Sequence, residues 1–184
     1  MAILKDSGAR LIFDSGAVRD ISDGKGRMDL MPLDIMADYI HHLIDNGLIA
    51  ADDLLKHEIC ASILYKLDSF VRTGSIAGIF DAIHALTVIM PQDEKETGLP
   101  DTPLYRNFVA TSRQMEDGAA KYAARNWEKG INAENYINSG IRHLLKFMEG
   151  WTDEPHDRAA LWNMYCLLWT IKHHPELNCY PVTH

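Results

Sequence analysis

Apolar residues return every three or four positions along most of this chain, and that period limits its fold more than any other feature. Ile35, Met36, Tyr39, Ile40, Leu43 and Ile44 share one helical face, and Leu54, Leu55, Ile59, Ile63, Leu64 and Leu67 share the next. Breakers fall between the periodic runs. Pro32 suits a first helical turn, Asn46-Gly47 ends that helix, and Gly74-Ser75 ends the second. A third helix is predicted from Ile76 to Met90, before Pro91. Others are predicted from Asn107 to about Trp127, from Asn135 to Met148, and from near Pro155 to His173, where Pro175 stops the last. No stretch of period-two alternation competes, so the expected fold class is all-α. Residues 1–29, rich in Gly, Asp and Ser, read as an ordered arm. The Pro- and charge-dense segment 91–103 reads as a surface excursion within a single domain, 1–184.

With 184 residues, 47% of them hydrophobic, the chain can bury one sizeable core. A net charge of −8 argues against a general nucleic-acid binder, which needs a basic footprint. An acidic chain still binds phosphate locally, through a basic cluster or through a cation held by its carboxylates. Cys60, Cys166 and Cys179 are far apart and lack metal or redox spacing, which suits a reducing compartment. The first residues resemble neither a signal nor a transit segment, and no apolar run reaches membrane-spanning length. The expectation is a cytoplasmic protein with no nucleic-acid or membrane partner.

Chemistry-bearing residues collect in the C-terminal half. From Gly118 to Gly130, Lys121, Arg125 and Lys129 are mixed with Tyr122, Asn126 and Trp127, a combination that suits an anionic, ring-bearing ligand. Asp117, Lys121 and Arg125 at successive i+4 steps also suit a salt-bridge ladder. Ser139, Arg142, His143 and Lys146 fall on the polar face of one helix, opposite Ile137, Ile141, Leu144, Leu145 and Met148. Such a face is either solvated or suited to stabilising phosphate. In Asp153-Glu-Pro-His-Asp157, Glu154 and Asp157 stand three apart at the expected start of the last helix. Their carboxylates then leave one face of its first turn and, with a third from a neighbour, would suit Mg²⁺. First-turn acids also oppose the helix dipole, so this pattern leaves both readings open. Asn163, in an apolar helix, needs a backbone or ligand partner. Gly24-Lys25-Gly26-Arg27 brings cations and permissive glycines together without P-loop spacing.

The order of these pieces carries a resemblance. Gly16-Ala-Val-Arg-Asp20, Gly24-Lys-Gly-Arg-Met-Asp-Leu-Met-Pro32, Glu116-Asp-Gly-Ala-Ala-Lys-Tyr122 and Arg125-Asn-Trp-Glu-Lys-Gly130 are followed by Ser139, Arg142-His143, Gly150, Asp153-Glu-Pro-His-Asp157 and Trp162-Asn163. In this order they resemble the phage and bacterial dATP/dGTP diphosphohydrolase domain family, relatives of the MazG-like all-α nucleoside triphosphate pyrophosphohydrolases. The resemblance implies a MazG-like helical bundle with an N-terminal arm, and residues from about 48 to 107 as a variable helical insertion. It implies hydrolysis of a purine deoxynucleoside triphosphate to monophosphate and pyrophosphate, with water attacking the α-phosphorus. It implies Mg²⁺, or Mn²⁺ in its place, held by Glu116, Asp153, Glu154 and Asp157. In the family's relatives an ExxE element joins an ExxD element; here Glu154-Pro-His-Asp157 fits ExxD. Ala119 and Ala120 supply no second carboxylate after Glu116, and Asp117 or Glu149 is the nearest substitute. Lys121, Arg142 and His143 would join the carboxylates in catalysis. Lys25, Arg27 and Arg125 would meet the phosphates, Trp127 or Tyr122 would stack on the base, and Asn126 or Asn163 would read its edge. A homo-oligomer is expected, with sites between subunits. The alternatives are a helical nucleotide-binding or regulatory module without catalysis, and a structural helical protein.

Overall fold

The computed structural model describes residues 10–20, 25–91 and 102–181. Its helices follow the apolar period. Helices α1 (Leu33–Asp45), α2 (Leu54–Thr73) and α3 (Ile76–Ile89) lie between the expected breakers. Gly47 and Gly74 end α1 and α2 at φ +67° and +74°, a left-handed conformation that glycine adopts without Cβ strain. Helix α4 (Pro103–Lys121) opens with Pro103 in its first turn, behind Thr102, whose side chain accepts from the Tyr105 N–H. Helices α5 (Ala133–Met148) and α6 (His156–His173) complete the set. Most of segment 91–103, read above as a surface excursion, lies outside the described residues, as do residues 1–9 and 21–24 of the arm.

The α2–α3 pair packs on the α5–α6 pair, α1 lies against α2, and α4 against α6 and α3. Helix α6 buries Ala160, Met164, Leu167 and Ile171 on one face and Asn163, Cys166 and Thr170 on the adjoining one, the sign of a central helix. One buried cluster runs from Ala17 through the other helices to Ile171, and it takes in Cys60 and Cys166. Residues of α2 and α3 thus share the core of the C-terminal helices. A Cβ on Gly78 would stand 2.9 Å from the Lys66 carbonyl, so α2 and α3 meet where only glycine fits. Helices α3, α4 and α6 are tied by a buried polar chain. Asn107 Nδ2 donates to Thr87 Oγ1 at 2.5 Å, and the Tyr165 hydroxyl donates to Asn107 Oδ1 at 2.7 Å.

The structure departs from the sequence reading in three places. The arm contains a two-stranded antiparallel hairpin, β1 (Arg10–Ile12) with β2 (Val18–Asp20), in register Arg10↔Asp20 to Ile12↔Val18. Helix α4 stops at Lys121, short of Trp127; Arg125 adopts φ +57°, and Asn126–Lys129 forms a short 3-10 turn. Glu154 precedes α6, outside its first turn, so Glu154 and Asp157 do not share a helical face.

Candidate active site

A cavity of about 710 Å³ is walled by β2, the C-terminal half of α4, the polar face of α5 and the first turns of α6. That is the size range of small-molecule sites. The arm reaches this cavity because asparagines hold it. Val18 N–H donates to Asn126 Oδ1 at 2.9 Å, and Asn126 Nδ2 donates to the Val18 carbonyl at 2.7 Å. The amide thus takes the place of a further strand at the free edge of β2. Asn138 Oδ1 on α5 accepts from Met28 N–H at 2.8 Å, and Asn163 Oδ1 on α6 accepts from Arg19 Nη2 at 2.9 Å. Asn163 Nδ2 donates to the Ala159 carbonyl, so both halves of that amide have protein partners.

Six cations and three carboxylates line the cavity, although the chain as a whole is acidic. Arg19 lies over the rings of Tyr136 and Trp162, at 5.3 and 5.8 Å from their centroids, a cation–π arrangement. Its Nη1 is sealed from solvent with no hydrogen-bond partner, and burial lowers its pKa from the ordinary arginine value. Burial also lowers that of Arg142, with Arg19 adding repulsion. Arg142 Nη1 donates to Asn138 Oδ1 at 2.8 Å. Burial opposes the charge on Lys121, but the hydrogen bond to Asp20 and the attraction of Tyr122 and Asp20 together outweigh it, and the Lys121 pKa is raised. The region facing β2 therefore concentrates positive charge where water is partly excluded, the condition under which such charge acts most strongly on an anion.

Of the residues singled out in the sequence, Lys25, Lys121, Arg125, Asn126, Trp127, Arg142, His143, Asp153, Glu154 and Asn163 all line this cavity. Ser139 and Lys146 do too, so the polar face of α5 is a cavity wall. Arg27, Glu116 and Asp157 are not among its lining residues. Arg27 forms a two-pronged pair with Asp29, at 2.8 and 2.6 Å. Glu116 is exposed on α4, and Asp157 lines a second cavity of about 590 Å³. The i+4 ladder does not form. Asp117 instead pairs with Arg158 of α6 at 2.7 Å, and Arg125 with Glu128. Trp127 lies edge-on to Trp169, with centroids 5.0 Å apart. Sequence reasoning passed over two residues. Arg19 stood inside a quoted motif without a role, and His156 stood as a spacer between acids.

His156 belongs to the most densely functionalised corner. Its Nδ1 is 2.9 Å from His143 Nδ1, and both nitrogens are 3.6 Å from Glu154 Oε1. On its other side, His156 Nε2 lies 2.7 Å from Asp153 Oδ1, and Lys146 Nζ is 3.4 Å from Asp153 Oδ2. Burial, then the neighbouring His156, pushes the His143 pKa down to about 3, so its imidazole is neutral at pH 7. Among the described residues, His143, Glu154 and His156 are the group of three able to converge on a metal ion. Mg²⁺ prefers an all-oxygen shell, and this group offers two nitrogens and one oxygen. The four carboxylates expected to hold Mg²⁺ are not gathered there: Glu116 and Asp157 stand elsewhere, and Asp153 is turned to His156 and Lys146.

The described residues thus form an all-α bundle with a cation-walled cleft that ends in the carboxylates of Asp153 and Glu154 and the imidazole of His143, a composition able to attract an anion. Residues 91–179 match the family described as dATP/dGTP diphosphohydrolase, N-terminal. The matched segment carries α4 to α6, and with them Arg142, His143, Glu154, His156 and Asn163; the hairpin lies outside it. No curated protein and no solved structure matches the chain. Among the described residues, no helix is long and apolar enough to cross a membrane.

Proposed function

We propose that this protein hydrolyses purine deoxynucleoside triphosphates, dATP or dGTP, to the monophosphate and pyrophosphate. The observation that carries this reading is the composition of the cleft wall: six cations in a net-acidic chain, facing a carboxylate end, with four of the six (Lys121, Arg125, Arg142 and Lys146) inside the segment that matches a diphosphohydrolase family. Arg19, Lys121 and Arg142 would hold the polyphosphate, and their partial burial strengthens that attraction. Lys25, exposed at the rim, adds charge where the ligand enters. Glu154, at the carboxylate end of the cleft, would help to orient the attacking water, directly or through a bound ion. The rings of Tyr122 and Trp127 and the apolar lining beside them offer a face for the base.

The test is incubation with each of the four deoxynucleoside triphosphates, in Mg²⁺ and separately in Mn²⁺, with products resolved by anion exchange. Monophosphate plus pyrophosphate from dATP or dGTP is the expected result. Diphosphate plus phosphate, or nucleoside plus triphosphate, would place bond cleavage elsewhere and overturn the reading. Saturable binding without turnover would favour a nucleotide-binding regulatory module instead.

A further inference from the structure

We infer that His143, Glu154 and His156 form a binding site for one divalent first-row transition ion of the Zn²⁺ or Co²⁺ kind, with Asp153 orienting His156 from behind. For the role of the ion this rests on the hydrolase reading above; for its binding it does not.

The three ligand atoms mark a triangle with sides of 2.9, 3.6 and 3.6 Å. The centre of such a triangle is about 2.0 Å from each corner, the bond length of Zn²⁺ to imidazole nitrogen and carboxylate oxygen. A hydrogen bond between the two imidazoles can account for the 2.9 Å side, but not for the place of Glu154, whose Oε1 is 3.6 Å from both nitrogens, beyond hydrogen-bond reach. It sits at equal distance from the two, as a third ligand to a shared atom would. The chemistry of the neighbours agrees. Asp153 Oδ1 accepts from His156 Nε2–H at 2.7 Å, which leaves the lone pair on Nδ1, the atom that faces Glu154 and His143. A carboxylate behind a histidine is the usual support of a metal-bound imidazole. Two imidazoles and one carboxylate select transition ions over Mg²⁺. Three protein ligands also leave a position open to water or substrate.

The position adds to the argument. His143 and Glu154 line the large cleft, while Glu154 and His156 line the second cavity, so the triangle stands in the partition between the two. All three ligands come from α5, the turn after it and the first residue of α6.

The experiment uses the full chain, stripped with EDTA and free of nucleotide. Co²⁺ is titrated by its visible d–d absorption, and Zn²⁺ and Mg²⁺ by calorimetry. One equivalent of Zn²⁺ or Co²⁺ should bind at least about 100-fold more tightly than Mg²⁺. Glu154→Gln and His143→Gln should each weaken Co²⁺ binding at least about tenfold, and Asp153→Asn by about 10–100-fold. Because His156 is deeply buried, its ligation is read without substitution, from the ¹⁵N shifts of both imidazoles in the wild-type chain on adding Zn²⁺. Mg²⁺ binding as tight as Zn²⁺, imidazole shifts that do not move, or Co²⁺ affinity unchanged in folded Glu154→Gln would each overturn the inference. A chain that binds Co²⁺ through these residues yet leaves every deoxynucleotide intact keeps the metal site and loses the hydrolase reading. Turnover by a chain that, on titration, binds neither Zn²⁺ nor Co²⁺ does the reverse.

Discussion

Replacing Asn126 by aspartate exchanges one NH₂ for an oxygen and leaves the shape of the side chain unchanged. The carboxylate keeps the bond from Val18 N–H, at 2.9 Å in the native chain, but sets a second acceptor against the Val18 carbonyl where Nδ2 now donates at 2.7 Å. One hydrogen bond of about 0.5–1.5 kcal/mol is lost, and leaving a buried group unsatisfied adds about 1–3 kcal/mol. The side chain is only 7% exposed, so water does little to relieve the clash. The expected cost at neutral pH is about 2–4 kcal/mol, a fall in Tm of about 5–15 °C for a chain of this size. Burial and the facing carbonyl raise the folded-state pKa of the introduced carboxyl above its unfolded value of about 3.9. Once protonated, it donates to Val18 again. The penalty is therefore complete above the raised folded pKa and shrinks as pH falls toward the unfolded value, at up to about 1.4 kcal/mol per pH unit. Urea denaturation of wild type and variant at pH 7.5 and pH 5 measures this difference. A variant as stable as wild type at pH 7.5, or a penalty independent of pH, would refute the assignment of Asn126 to holding the arm. Weakened nucleotide binding at unchanged stability would mean that the amide reads a base.

Four further outcomes follow from the same structure. Gly78→Ala should destabilise the fold by about 1–3 kcal/mol in urea, because its Cβ would meet the Lys66 carbonyl at 2.9 Å; an equal or higher midpoint would contradict the close α2–α3 contact. Asn107→Ala should cost about 2–3 kcal/mol by stranding the Tyr165 hydroxyl and loosening α4, read as a lower urea midpoint at constant m-value. Lys25→Ala should raise KM for the deoxynucleotide about 3–10-fold while stability stays within about 0.5 kcal/mol, since it lines the rim without packing. Zn²⁺ at about 100 times its Kd should raise stability by about 2.7 kcal/mol, and EDTA should reverse the gain in a thermal melt.

The helices were legible because their signals are local. The stripe of α1 and the glycines at 47 and 74 act within a turn or two of their own positions. The polar face of α5 was legible for the same reason, and it is the wall of the cleft. The end of α4 was not. Ala123 and Ala124 favour continuing a helix, yet Asn126 is held by Val18, 108 positions away, and Trp127 packs on Trp169. The hairpin gave no alternating pattern because all three residues of β1 are exposed and β2 is half-buried throughout. His156 carried no signal beyond its residue type. Its place beside His143 depends on the turn that folds α6 back onto α5, and that turn also moves Glu154 off the helical face it was expected to share with Asp157.

Asn126, Asn138 and Asn163, three amides of the kind that discriminate one purine from another, are all occupied in fastening the arm to the bundle. This ties the evolution of substrate choice to the integrity of the fold. A substitution that retuned any of them toward a new base would also detach a piece of the wall. Diversification of this cleft should therefore proceed through its rings and rim cations, with the asparagines among the last positions to drift.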